Sequence, residues 1–270
     1  MGQTIFQVDS FTDTPFHGNP AGVCVVRDEK KITDEKWMLK VANEMNCSET
    51  SFLFQESKGF RLRWFTPQHE VDLCGHATLA AAHILWQEGI LPEKEDAVFQ
   101  TNSGKLIARK NKRGVELEFP ALPARTLSKP EWPAGLTEAV GSRPKVAVGR
   151  SKFDLLVELE NEAAVRDFAP NSPAIARLDC RGLILTAQAT SRPYDFVSRF
   201  FAPALGIPED PVTGSAHCVL GPYWAERLGK PELAAYQASE RGGSLHVRVQ
   251  ADRVFISGNA VTVLRCELLG

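Results

Sequence analysis

Arg63-Trp64-Phe65-Thr66-Pro67 and Arg199-Phe200-Phe201-Ala202-Pro203 spell one phrase twice, Arg-aromatic-Phe-x-Pro, once in each half of a 270-residue chain. After each, a short polar stretch leads to a glycine and a run of small apolar residues. The first run is Gly75-His76-Ala77-Thr78-Leu79-Ala80-Ala81-Ala82-His83-Ile84-Leu85-Trp86-Gln87-Glu88-Gly89; the second runs from Gly214-Ser215-Ala216-His217 through Trp224 to Gly229. Both carry a tryptophan near the end and stop at a glycine, a common helix C-terminal signal. Both are mostly apolar, which predicts buried rather than surface helices. Further on, Val98-Phe99-Gln100-Thr101-Asn102-Ser103-Gly104-Lys105-Leu106-Ile107 parallels Tyr236-Gln237-Ala238-Ser239-Glu240-Arg241-Gly242-Gly243-Ser244-Leu245-His246-Val247 as strand, turn and strand.

Outward from the repeat, Ile5 to Val8, Gly22 to Val26, Ser51 to Phe54, Phe60 to Phe65 and Val115 to Phe119 read as short strands, as do Leu155 to Leu159, Leu183 to Thr186, Phe196 to Phe201 and Val254 to Ile256. A surface helix fits Asp34 to Met45, with Thr33 as its N-cap and Trp37, Met38, Val41 and Met45 on one face. The prolines and glycines between Pro120 and Pro144 mark the join. The expectation is an α+β protein of similar halves, residues 1–118 and 119–258, each with several strands wrapped around one apolar helix. A pseudo-twofold axis between them would create a cleft, a favoured setting for a small-molecule site. The tail, residues 259–270, is expected to cross back to the first half.

Composition narrows the partners. The chain has 31 basic and 33 acidic residues, a net charge of -2, so neither nucleic acid nor an anionic membrane is an expected partner. Its cysteines (Cys24, Cys47, Cys74, Cys180, Cys218, Cys266) form no Cys-x-x-Cys pair and stand at no zinc-ligand spacing. Most read as free, buried thiols in a reducing compartment. The N-terminus lacks a signal-peptide pattern, and no apolar run approaches the ~20 residues of a membrane span, so a cytoplasmic location is expected.

The helix starts are the first candidates for chemistry. Gly75 and Gly214 open the backbone to a ligand, and a helix N-terminus offers unpaired N–H groups to a carboxylate without need of an arginine; both glycines also fit ordinary tight turns. Glu49, in Asn46-Cys47-Ser48-Glu49-Thr50-Ser51-Phe52, enters an apolar strand, where desolvation is expected to raise its pKa toward that of a useful base. It also fits a cap or a solvated turn. The second half has no acid at the matching point in Asp179-Cys180-Arg181-Gly182-Leu183. His76 follows Gly75 and fits both a functional and a capping histidine. Asp210, Thr213 and Ser215 surround the second helix start as candidate acid and substrate-binding groups, or as caps. Cys74, before Gly75, is a candidate base or nucleophile or an inert small residue, and with Thr213 at the matching position a paired-thiol mechanism lacks its second member. His17, His69, His83, His217 and His246 show no metal-ligand spacing, and no dinucleotide, phosphate-loop or pyridoxal motif is apparent.

Phe11-Thr12-Asp13-Thr14-Pro15-Phe16-His17-Gly18-Asn19-Pro20-Ala21-Gly22-Val23, Ser48-Glu49-Thr50, Cys74-Gly75-His76-Ala77-Thr78 and Glu209-Asp210-Pro211-Val212-Thr213-Gly214-Ser215-Ala216-His217 occur in order along the chain. Together they resemble the hallmark segments of the PhzF-like family of phenazine biosynthesis, over residues 5 to about 265. The resemblance implies a diaminopimelate epimerase-like fold, in which each half is a barrel-like, mostly antiparallel sheet around a central helix, and a homodimer. It implies a cofactor- and metal-independent isomerase acting on a small carboxylated metabolite. Glu49 would transfer the proton, His76 and Asp210 would assist, and Ser215, Gly75, Gly214 and Thr213 would bind substrate. Two alternatives stay open: a one-thiol racemase or epimerase using Cys74, and a non-catalytic binding protein on the same fold.

Overall fold

The computed structural model describes residues 2–190 and 192–269. The chain forms two compact units: one comprises the chain up to Glu118 and from Ser257 onward, the other Phe119–Ile256.

In the first unit, β1 (Gln3–Ser10) pairs antiparallel with β2 (Asn19–Val26). Helices α1 (Glu29–Thr33) and α2 (Glu35–Met45) then cross to β3 (Glu49–Glu56), parallel to β2. The antiparallel strands β4 (Gly59–Phe65) and β5 (Glu70–Val71) follow. Helix α3 (Gly75–Gln87) carries the chain to β6 (Ala97–Thr101), parallel to β4; β7 (Gly104–Asn111) and β8 (Gly114–Pro120) continue antiparallel.

The second unit repeats this order. Strand β9 (Arg125–Thr126) is followed by α4 (Leu136–Val140), β10 (Lys145–Arg150) and β11 (Asp154–Leu159), with β10 antiparallel to both strands. Helices α5 (Glu162–Arg166) and α6 (Ser172–Ala176) cross to β12 (Gly182–Gln188), parallel to β11. Next come β13 (Phe196–Ala202), β14 (Ile207–Asp210) and α7 (Gly214–Leu228), then β15 (Glu232–Gln237) parallel to β13 and β16 (Gly243–Gln250) antiparallel to β15. Strand β17 (Arg253–Gly258) leads to β18 (Ala260–Leu268), which pairs with β1 as β9 pairs with β10.

The pairings explain the sequence patterns. β4 alternates half-buried and buried residues, as one covered sheet face demands. The parallel strands β11 and β12 are buried nearly throughout, and helix α5 packs against both. In the first unit α1 and α2 provide that cover, packing Ile32, Met38 and Val41 against Phe52 and Phe65. Helix α3 lies against β1, β2, β3, β7 and β18, and α7 against β15 and β16; their apolar surfaces follow from that enclosure. The cap of α2 is Asp34, whose carboxylate accepts from the Trp37 amide at 3.0 Å, rather than Thr33, which ends α1. The proline-rich stretch after Glu118 is not a bare linker: it carries β9 and α4. Cys24, Cys47, Cys74 and Cys218 are buried, Cys180 is half-buried, and Cys266 is exposed on the outer strand β18. Among the described residues, no helix is long and apolar enough to cross a membrane.

The repeated arginine is structural. Arg63 forks onto Glu70 at 2.7 and 2.6 Å, and Arg199 onto Glu209 at 2.7 and 2.8 Å. In each unit this planar, two-bonded pair ties the long strand to the short one that leads into the apolar helix.

Candidate active site

Helix α3 begins at Gly75 with Cys74 as an extended N-cap that makes no side-chain capping bond. Its first turn is pinned from the sheet: Ser10 donates to the His76 carbonyl at 2.8 Å, and Ser51 to the Ala77 carbonyl at 2.9 Å. Thr78 returns its hydroxyl to the Cys74 carbonyl at 2.6 Å. Glu49 is the first residue of β3, paired in register with Ala21 of β2. A side chain at neighbouring Gly22 would lie 2.6 Å from Thr50 Oγ1, so glycine there permits the close strand approach that sets Glu49.

This frame brings Glu49 and His76 together. His76 Nε2 stands 3.2 Å from Glu49 Oε2, and the side chains are only 7% and 14% exposed. The approach is close but poorly aligned, so both atoms are buried without a hydrogen-bonded partner. On the other ring nitrogen, Nδ1, lie Asn19 Nδ2 at 3.3 Å and Cys74 Sγ at 3.5 Å.

The electrostatics correct one expectation. Burial does push the Glu49 carboxyl up, but the close approach and charge of the His76 ring, with smaller help from Cys74 and His69, outweigh it and hold the carboxyl below its ordinary 4.5. Burial likewise disfavours charged His76, yet the Cys74 sulfur and the Glu49 carboxylate hold it well above 6.5. Cys74 goes the other way: burial, then the Glu49 charge, push its thiol to about 11. At neutral pH Glu49 is therefore ionised and Cys74 is a protonated thiol.

Donor atoms of Glu49, Cys74 and His76 lie within 4.8 Å of one another. The sulfur, however, meets Nδ1 and the carboxylate meets Nε2.

In the second unit, Asp210 and Thr213 come together: the Thr213 hydroxyl donates to Asp210 Oδ2 at 2.5 Å, and Gln237 bridges them by donating to the Asp210 carbonyl at 2.7 Å and accepting from the Thr213 amide at 2.9 Å. Thr213 is the N-cap of α7 and, like Cys74, makes no side-chain capping bond. Ser215 is engaged elsewhere. Arg181 Nη2 donates to its hydroxyl at 3.0 Å while the same guanidinium grips fully buried Asp154 at 2.8 and 2.5 Å. An arginine thus does stand at this helix start. Sequence reading missed Asn19, Arg181, Asp154 and Gln237; Asn19, Arg181 and Gln237 lie inside the quoted segments, but nothing in their spacing marks them as partners of His76, Ser215 and Thr213.

A family model described as "Phenazine biosynthesis-like protein" (PhzC-PhzF) matches residues 8–266. The chain belongs to the PhzC/PhzF family. Within it, an uncharacterized isomerase of Halalkalibacterium halodurans is 50% identical over 269 residues, covering 100% of this chain and 99% of the relative. An uncharacterized isomerase of Pseudomonas aeruginosa is 49% identical over 258 residues, 95% of either chain. Among solved structures, a PhzF family protein from Enterococcus faecalis superposes with a TM-score of 0.93 at 38% identity over 100% of both chains. The α+β architecture expected from the repeat is thus the PhzC/PhzF architecture.

Proposed function

We propose that this PhzC/PhzF member is an isomerase that shifts a proton between carbons of a small carboxylated metabolite, with Glu49 as the group that takes and returns the proton. The observation that carries this reading is the buried Glu49–His76 pair, 3.2 Å apart and without other hydrogen-bonded partners on the facing atoms. Ionised Glu49 removes a proton from carbon beside the substrate carboxylate. The C–H electron pair passes into the substrate as an enolate-type system. Protonated Glu49 exchanges with solvent and gives a proton back at a different carbon, and the double bond moves. No electrons leave the substrate, so the step needs no redox partner.

The lowered pKa of Glu49 leaves the carboxylate ionised and free to accept a proton at neutral pH, at a cost in basicity. A weakly basic carboxylate readily returns its proton, and His76 favours the charged form to which Glu49 reverts. Asp210, Thr213, Ser215, Gly75 and Gly214 are proposed to hold substrate oxygens, the glycines through helix-terminal amides.

The reading in which Cys74 is the base asks for a thiolate where the thiol is held at about 11. Incubation with a panel of small carboxylates in deuterated water, read by proton NMR and mass spectrometry, tests both readings. Glu49→Gln should lower deuterium wash-in by roughly two to four orders of magnitude, the range for a positioned acid–base group, with little change in folding. Cys74→Ala should lower it less than about tenfold. The reverse ranking would assign the base to Cys74, and wash-in at the uncatalysed rate across the panel would favour a binding protein.

A further inference from the structure

Asn19, the first residue of β2, is fully buried and faces the ring nitrogen of His76 that Glu49 does not use. Ser48 Oγ lies 3.4 Å from Asn19 Oδ1, and the amide N–H is turned to His76 Nδ1 at 3.3 Å; ionised Glu49 can only accept, so it calls for the ring proton on Nε2 and leaves the Nδ1 lone pair to that N–H. A neutral imidazole carries one N–H and one lone pair. An N–H donated to Nδ1 requires the lone pair there, so the ring proton belongs on Nε2, the nitrogen 3.2 Å from Glu49 Oε2.

We infer that Asn19 is a positioning residue that sets His76, whenever the ring is neutral, as the Nε2–H tautomer, with its proton turned toward Glu49. The consequence is a choice between the two oxygens of the base. Oε2 is sealed from solvent and faces the ring N–H, whereas the Glu49 side chain as a whole keeps 14% of its surface. Held in this way, Glu49 offers Oε1 to a substrate proton. The opposite tautomer would set an imidazole lone pair against the carboxylate and push it away.

Several groups act on the ring. Glu49 from β3 lies at Nε2; Cys74, at the head of α3, lies at Nδ1; His69 acts through Glu49; and Ser10 of β1 binds the His76 carbonyl rather than the ring. Glu49 favours the imidazolium. The Asn19 N–H opposes it, because an imidazolium has no lone pair at Nδ1.

The inference rests on the proposed function only for its kinetic consequence, so its first test needs no substrate. The chain has 6 histidines, and 15N-histidine NMR, with His76 assigned by its loss in His76→Gln, reads tautomer and charge directly. In the native protein the neutral form of His76 should carry its proton on Nε2. Asn19→Asp puts a carboxylate at Nδ1 and should keep the ring protonated to a pH higher by about one unit or more, the effect of a close opposite charge. Ser48→Ala removes one bond that orients the amide and should admit a share of the Nδ1–H tautomer. The deuterium wash-in rate of Asn19→Asp should fall about tenfold or more, with its pH profile displaced in the same direction. If Asn19→Asp does not fold, the half-buried Ser48 site decides. Unchanged tautomer and titration of His76 in these variants overturns the inference. If Glu49→Gln retains full wash-in while His76 keeps the Nε2–H tautomer, the proposed base fails and the role of Asn19 stands.

Discussion

The starts of α3 and α7 occupy the same place in the same topology, yet their chemistry is complementary. The registers make the match residue by residue. Thr50 pairs with Phe65 as Leu183 pairs with Phe201, and Ala21 pairs with Glu49 as Asp154 pairs with Gly182. Glu49 thus corresponds to Gly182, Ala21 to Asp154, His76 to Ser215, Cys74 to Thr213, and Val71 of β5 to Asp210 of β14. Almost every ionisable group at one start corresponds to an inert residue at the other. The first unit keeps a carboxylate with a histidine. The second keeps a guanidinium locked to a buried carboxylate, and the Phe200 ring so fills the place of Glu49 that a Cβ on Gly182 would lie 2.3 Å from it. Backbone and core are duplicated, while the proton-handling pair is not.

The largest effect after loss of Glu49 itself is expected at Arg181. Its partner Asp154 is 0% exposed, so Arg181→Met leaves a buried carboxylate without a counter-ion. That should cost roughly 3–5 kcal/mol in urea unfolding. Arg181→Met with Asp154→Asn should recover much of the loss, because no unpaired charge remains. Equal stability in the single and double variants would mean that the pair does not hold the second unit together.

A smaller effect separates His217 from its counterpart Thr78. Both side chains return to the N-cap carbonyl, His217 Nδ1 to Thr213 at 2.8 Å and Thr78 to Cys74 at 2.6 Å. Burial holds His217 down to about 4, so it stays neutral in the fold and binds a proton near 6.5 when unfolded. The unfolded chain therefore takes up more protons as pH falls from 6.5 toward 4, and this residue should cost roughly 2–4 kcal/mol over that window. A His217→Gln variant should lose less stability between those pH values than the native protein. Parallel pH–stability curves would show that the shift is absent.

The smallest effect probes the asymmetry itself. Gly182→Ala should cost about 1–3 kcal/mol through overpacking, and Phe200→Leu in the same chain should relieve part of it. An undiminished melting midpoint in Gly182→Ala would mean that the place of Glu49 is open in the second unit and that its glycine serves another purpose.

Much of this was legible in particular residues. The paired Arg-aromatic-Phe-x-Pro phrases marked β4 and β13 because both strands need the same inward aromatics and the same arginine to hold the strand that follows. The glycine-opened apolar runs marked α3 and α7 because a helix enclosed by a sheet has no polar face to betray a different setting. Caps and short helices were less legible. Asp34 displaced Thr33 as a cap because the chain breaks between α1 and α2, a local turn that apolar periodicity does not record.

The sequence by itself determined the duplication, the central helices, the family resemblance and the singling out of Glu49 and His76, since all of these rest on periodicity, punctuation and local motif. Tertiary structure alone decided what those residues are to one another. It set Glu49 against His76 Nε2, turned the expected rise in the Glu49 pKa into a fall, held Cys74 as a thiol, and brought Asn19 and Arg181 to the helix starts. The physical reason is that charge state and tautomer depend on distances of a few ångströms between groups far apart in the chain, where burial and a facing charge compete. Spacing along a sequence records neither.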